Sequence, residues 1–154
     1  MRNGQENALR PWSSEWRPYA PNVTDATAIR GRLLDAHRPA LERALACADA
    51  VAADWGGDAT ADPVAADYRA ALEAADALEP LAAALADAVA HAGGDLAAAP
   101  VADVPYLAVA GRGVVLRGPL AGGGRVVATL AAFEVDPYRR GSDLPEALVV
   151  ERRG

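Results

Sequence analysis

The chain has 154 residues, a length that fits one domain and leaves little room for a second. Hydrophobic residues make up 52% of it, but many are alanine and only one is phenylalanine, so the core gains little apolar area per residue. The formal net charge is −6 and every basic residue is arginine. Because phosphate backbones are bound by basic surfaces, this balance argues against a nucleic-acid partner.

Cysteine usage and hydropathy indicate the compartment. Cys47 is the only cysteine, so an intrachain disulfide is excluded. No apolar run reaches the ~18 residues that a membrane span needs, because Asp87 and His91 interrupt the best candidate. The first residues lack the apolar stretch of a signal peptide. We therefore expect a cytoplasmic protein with no membrane association.

Residues 1–24 differ from the rest of the chain, because they contain two of the three tryptophans and show no periodicity. One interpretation is a disordered extension. Another is a mis-annotated start, since Val23 begins a stretch that resembles an ordinary N-terminus. A third is a short docking motif built from Trp12, Trp16 and Tyr19. All three stay open, and residues 25–154 are predicted to form a single domain.

Residues 25–92 are predicted to be helical. Thr24 or Asp25 can cap the first helix, and apolar residues from Ile29 onward recur at helical spacing. Pro39 lies within this pattern and predicts a kink or break near His37. Asp62 and Pro63 are expected to open the second helical run, as cap and first helical residue. Pro80 is expected to divide that run at Glu79-Pro80.

The period changes after residue 104. Short segments rich in valine, leucine and aromatic residues follow, separated by glycine, proline and aspartate, and they predict three or four antiparallel strands over residues 104–152. Helices first and strands afterwards indicate an α+β fold, with a helical hairpin whose second arm is kinked at proline packed on a β-meander.

The stretch "VVLRGPLAGGGRVVATL", residues 114–130, raises the question of a phosphate-binding loop. Such a loop needs a helix directly after its glycines, whereas "RVVATLAAFEV" has the residue types of a strand. Gly122, Gly123 and Gly124 are therefore interpreted as a hairpin turn. Arg117 and Arg125 flank the turn and are expected to lie near each other across the two strands.

Metal and catalytic chemistry find little support. His37, Cys47 and His91 match no zinc spacing, and Cys47 is interpreted as a buried thiol in an alanine-rich helix. Asp54, Asp58 and Asp62 are interpreted as helix caps and solvated acids, since an EF-hand pattern is absent. No serine lies in a nucleophile-elbow context. We expect no metal and no cofactor, and a non-enzymatic role is favoured over an enzyme.

Two hypotheses about function remain. The preferred one is an interaction or accessory protein that forms a homodimer or binds another protein, because "RVVATLAAFEV" is apolar on both alternating faces. Val127, Ala131, Phe133 and Val135 are assigned to its second face. The alternative is a protein or enzyme that binds a small anion. Its candidate residues are Tyr106, Arg112, Arg117 and Arg125, together with His37 or His91. Tyr138, Arg139 and Arg140, in the loop before the last strand, are further residues that a small anion could use.

The segments "ALACADAVAADW" (44–55), "LAAALADAVAHAG" (81–93), "VPYLAVAGRGVVLR" (104–117) and "GGRVVATLAAFEV" (123–135) carry a resemblance. Together they make residues 25–135 resemble small, alanine- and aspartate-rich haloarchaeal proteins of a family of unknown function. That resemblance implies no catalytic residues, and residues 1–24 depart from it.

Overall fold

The computed structural model describes residues 25–53, 61–98, 100–103, 106–134 and 139–154, with the backbone alone at 61 and 62. Within these residues the chain forms four helices followed by an antiparallel sheet of four strands and a small two-stranded hairpin. The predicted α+β class and the order of helices before strands are confirmed. None of the described helices is long and apolar enough to cross a membrane.

The helical half contains two pairs of consecutive helices, which are α1 (Ala26–Ala36), α2 (Arg38–Ala53), α3 (Ala61–Ala74) and α4 (Leu78–His91). The Asp25 carboxylate accepts a hydrogen bond from the backbone N–H of Thr27 and caps α1. The predicted break near His37 is confirmed, because His37 is the C-cap of α1 and α2 begins at the next residue.

Two predicted boundaries were wrong by a few residues. Helix α3 begins at Ala61, so Pro63 lies inside the first turn and is not the first helical residue. The division of the second run is confirmed, but it precedes Pro80: Asp76 adopts a φ of +52° and α4 begins at Leu78. Both prolines lie in first turns, where a helix has no acceptor for their missing N–H groups.

The strands are β1 (Leu107–Ala110), β2 (Gly113–Pro119), β3 (Arg125–Ala131), β4 (Phe133–Glu134), β5 (Arg139–Arg140) and β6 (Leu148–Arg153). The main sheet has the order β1-β2-β3-β6 and every pairing is antiparallel. The β4-β5 hairpin is inserted along the chain between β3 and β6, so it interrupts the predicted meander once.

One face of this sheet, here called the inner face, packs against the helices. Its buried side chains belong to the same apolar cluster as the helical stripes and include Leu107, Val114, Leu116, Val126, Ala128, Leu130 and Leu148. Helix α4 approaches closely at Gly118, where an added Cβ would lie 2.8 Å from Leu96 and 3.3 Å from Leu85. Arg30 ties α1 to the chain entering β6, because its guanidinium donates to the carbonyls of Leu148 and Pro145.

The segment "RVVATLAAFEV" is not one strand, contrary to prediction. Strand β3 ends at Ala131, and after Ala132 the chain turns so that Phe133 enters the core. There the Phe133 ring contacts Tyr68 edge-on, with the ring centroids 5.1 Å apart. Burying the only phenylalanine of an alanine-rich chain gains more than continuing a two-sided strand. Phe133 therefore does not lie on the second face of β3, while Val135 is outside the described residues.

Arg140 joins β5 to the helices and to the loop before β6. Its guanidinium donates to the carbonyls of Ala132, Gly141 and Ser142, and to the carboxylates of Asp49 and Asp143. The side chain is only 16% exposed. Arg140 was considered a ligand-binding residue, but its donors are occupied by the protein itself and its position is structural.

Arg140→Ala should lower the free energy of unfolding by about 2–4 kcal/mol, because three carbonyls and two carboxylates lose a charged donor together. Arg139→Ala is the matched control. Arg139 is 65% exposed and pairs with Glu134, so its loss should cost no more than about 0.5 kcal/mol. Urea unfolding followed by circular dichroism measures both, and equal losses would contradict the assigned role of Arg140.

Candidate functional site

The other face of the sheet, here called the outer face, points away from the core cluster. The register assigns to it alternate residues of each strand, namely Ala108, Ala110, Gly113, Val115, Arg117, Pro119, Arg125, Val127, Thr129, Ala131, Val149, Glu151 and Arg153. None of these belongs to the core cluster. Among the described residues, the helices pack on the inner face, so the outer face is a surface on which a partner could lie.

The middle of the outer face is an apolar row. Ala108, Val115, Thr129 and Val149 lie opposite one another across all four strands. Val149 is 46% exposed, which makes it one of two exposed large hydrophobic residues in the described parts of the chain. Val127 lies one row further along and is only 6% exposed. Its direct neighbours are Arg117 and Glu151, whose aliphatic stems can cover it.

One end of the outer face is basic. Arg125 lies opposite Arg153 on β6, and Arg117, opposite Val127, is its diagonal neighbour on β2. Tyr106 lies beside Arg117, because the backbone N–H of Arg117 donates a hydrogen bond to the Tyr106 carbonyl at 2.7 Å. The sheet thus brings together three of the four predicted ligand residues. We call Tyr106, Arg117, Arg125 and Arg153 the basic end.

Arg112 does not lie with the other three. It is in the turn between β1 and β2, and Gly113 next to it pairs with Ala131. Arg117 is five residues further along, so the two arginines are roughly 17 Å apart along the strand. Arg153 was missed by the sequence analysis, although it is directly opposite Arg125. The register of β6, which the sequence does not reveal, was needed to find it.

The glycine-rich stretch is a hairpin turn, as predicted. Strands β2 and β3 pair on either side of it, and Leu120 exchanges backbone hydrogen bonds with Gly124 and Gly123 across the turn. Gly124 has a φ of +75°, and a Cβ there would lie 2.5 Å from the Arg153 carbonyl oxygen. No helix follows these glycines, so the arrangement that holds phosphate in a glycine-rich loop is not formed here.

Cys47 and Tyr68 meet between α2 and α3 in the core. Burial raises the pKa of the Cys47 thiol, which points at the Ala71 carbonyl oxygen at 3.6 Å. Burial also raises the pKa of Tyr68, whose hydroxyl donates to the Ala44 carbonyl at 2.8 Å. A thiol held in its protonated form is a poor nucleophile, which agrees with the interpretation of Cys47 as a packed core residue.

His37 joins Arg32 on a single carboxylate. The His37 Nε2 atom lies 2.6 Å from Asp87 Oδ2 on α4, and Arg32 Nε donates to the same oxygen at 2.9 Å. The hydrogen bond from Arg32, and then that from His37, lower the pKa of Asp87 to about 2. These contacts hold the α1–α2 junction against α4.

The other residues that were weighed and rejected as metal ligands do not converge with His37. His91 is exposed at the end of α4 and Cys47 is in the core. Within the described residues, no group of three or more His, Cys, Asp or Glu side chains is placed to hold a metal ion. The side chains of Asp54, Asp58 and Asp62, and all of Tyr138, lie outside the described part of the chain.

Comparison with known proteins assigns the chain to a family. The α+β domain matches one family model over residues 27–153, from the first turn of α1 to the end of β6. That family is described as a domain of unknown function, DUF7988, and the chain belongs to it. A search of curated proteins found no match, and neither did a search of solved structures. The predicted membership of a family of unknown function is confirmed.

Asp87 should make the stability of the folded protein depend on pH in the acid range. Its folded pKa of about 2 is below the ordinary value of 3.8, so its contribution is present above pH ~4 and is lost as the pH falls towards 2. Asp87→Asn should lower the urea midpoint at neutral pH and flatten its decline between pH 4 and pH 2. Asp67→Asn, at an exposed position on α3, is the control. A wild-type profile retained by Asp87→Asn would contradict this assignment.

Proposed function

We propose that this chain is a non-enzymatic interaction protein that forms a homodimer by stacking the outer faces of two sheets. The observation that carries the proposal is the apolar row of Ala108, Val115, Thr129 and Val149, which crosses every strand of the sheet. An antiparallel sheet exposed to water on one side normally carries polar residues there. Three of these four side chains are apolar, and burial against another sheet would remove them from water.

The charges of the outer face restrict the geometry of such a dimer. Two sheets stacked about a twofold axis along the strands would place the basic end of one copy on that of its partner. A twofold axis across the strands instead places each basic end over the far end of the other sheet. Because like charges in contact are unfavourable, the second arrangement is the one proposed.

The size of the face sets the expected strength. Strands β2 and β3 have seven residues each, β6 has six and β1 has four, so the four strands cover roughly 400 Å² at about 3.4 Å per residue and 4.8 Å per strand. A standard stable interface buries about 800 Å² per partner. The dimer should therefore dissociate in the micromolar range, and its measurement requires a concentration series.

The cytoplasmic location and the haloarchaeal resemblance stay predictions.

Val149→Glu should weaken the dimer at least about 100-fold, because it places a carboxylate at the β6 end of the apolar row, on its most exposed side chain. The matched control is Val101→Glu. Val101 is 51% exposed, comparable with Val149, but it lies in the connector before β1. Light scattering over a concentration series, with circular dichroism to verify folding, should give a monomer for Val149→Glu alone.

The homodimer is wrong if the wild-type chain has the mass of a monomer at every concentration tested. It is also wrong if Val101→Glu dissociates the dimer as strongly as Val149→Glu, because the contact would then not depend on the apolar row.

A further inference from the structure

The basic end is a concentration of like charge on an acidic protein. Directly opposed residues of an antiparallel pair have Cβ atoms about 5 Å apart, and diagonal neighbours are about 7–8 Å apart. By this register the side chains of Arg125 and Arg153 start side by side, with that of Arg117 on the diagonal. Residues 25–92, in contrast, carry twelve acidic residues against five arginines.

Within the described strands, the outer face carries three arginines and one acidic residue. Glu151 is the one acidic residue that the register places there within the described strands, and its carboxylate is bound by Arg153 at 2.7 Å. Arg125 has no ion pair among the described residues. Like charges placed directly opposite each other destabilise a sheet. An anion bound between the guanidinium groups would convert this repulsion into attraction.

We propose that the basic end binds a multivalent oxyanion of the phosphate class, held by Arg125, Arg153 and Arg117. The planar guanidinium group donates two parallel hydrogen bonds to phosphate oxygens, so three such groups match a ligand with several oxygens. Tyr106 flanks the site and offers either a hydroxyl donor or a ring face. Arg112 takes no part, because it lies at the other end of β2.

The open geometry determines the kind of ligand. No described element forms a wall over the basic end, so a ligand held there is contacted mainly through its charged group. A long nucleic acid would be repelled by the acidic remainder of the chain. This leaves a small anion, either free or as the phosphate group of a nucleotide, in which case the ring of Tyr106 could stack on the base.

The test measures thermal unfolding of the whole chain at low ionic strength, with and without inorganic pyrophosphate at 10 mM, a concentration of the order needed for an open, weak site. A ligand that binds only the folded state should raise the midpoint by roughly 2–4 °C. Arg125→Gln should abolish this shift and should also raise the midpoint without ligand, because it removes the repulsion from Arg153. The matched control Arg112→Gln should keep the full shift.

Two further arms, with sodium chloride and with adenosine diphosphate, complete the experiment. Sodium chloride at the same ionic strength must give a smaller shift than pyrophosphate, since equal shifts would mean screening without a site and would overturn the proposal. A loss of the shift in Arg112→Gln as large as that in Arg125→Gln would also overturn it. Adenosine diphosphate distinguishes a free anion from a nucleotide as the ligand. A shift of the midpoint equal to that with pyrophosphate supports a free anion, and a larger shift supports a nucleotide.

This proposal is independent of the homodimer, and the same variants separate the two. Val149→Glu should be monomeric and should still respond to pyrophosphate, whereas Arg125→Gln should remain dimeric and should not respond. A Val149→Glu protein that folds but shows no pyrophosphate shift would overturn the independent site on the basic end.

Discussion

The register of the β2-β3 hairpin is the constraint on which the rest of the structure depends. Side chains of a strand alternate between faces, so a slip of one residue would exchange the core residues of β2 or β3 for those of the outer face. Two glycines make that slip costly. A Cβ at Gly113 would lie 1.9 Å from the Leu130 carbonyl oxygen, and one at Gly124 would lie 2.5 Å from that of Arg153. Glycine is therefore required at one end of β2 and at the turn before β3.

Given this register, an alanine-rich chain can still build a core. Small residues on α4 and at Gly118 let the helix approach the sheet, and a Cβ at Gly118 would lie 3.3 Å from the Leu85 side chain. The few large side chains are then used where elements meet, as with the edge-on contact of Tyr68 and Phe133. Arg140 adds hydrogen bonds to the carbonyls of Gly141 and Ser142 in the loop before β6, and to that of the buried Ala132.

The fold class, the break at His37 and the glycine hairpin could be predicted because each depends on local chemistry: hydrophobic period, proline and positive φ. The turn at Ala132 could not, because it depends on the gain from burying Phe133 against Tyr68, which are far apart in sequence. The contact of His37 with Asp87 and the role of Arg140 are likewise products of tertiary packing.

Some residues of the candidate site could likewise be predicted from the sequence, and others could not. Tyr106, Arg117 and Arg125 are candidates because of their residue type near strand ends, and the register of the glycine hairpin places Arg117 and Arg125 on one face as diagonal neighbours. Arg112 was selected by the same reasoning and lies at the other end, because residue type does not specify which end of a strand a side chain occupies. Arg153 requires the pairing of the last strand with β3, a contact between residues 28 positions apart that the sequence does not specify.

The outer face must satisfy two demands if both proposals hold. The apolar row needs a second surface, whereas the basic end needs access to solvent and its anion. A twofold axis across the strands keeps the two basic ends apart, at opposite edges of the interface, where each faces the far end of the partner sheet and borders on solvent. An axis along the strands would bring the arginines of both copies together, and the dimer would form only with anions bound between them. The dependence of dimerisation on anions thus follows from the direction of the axis.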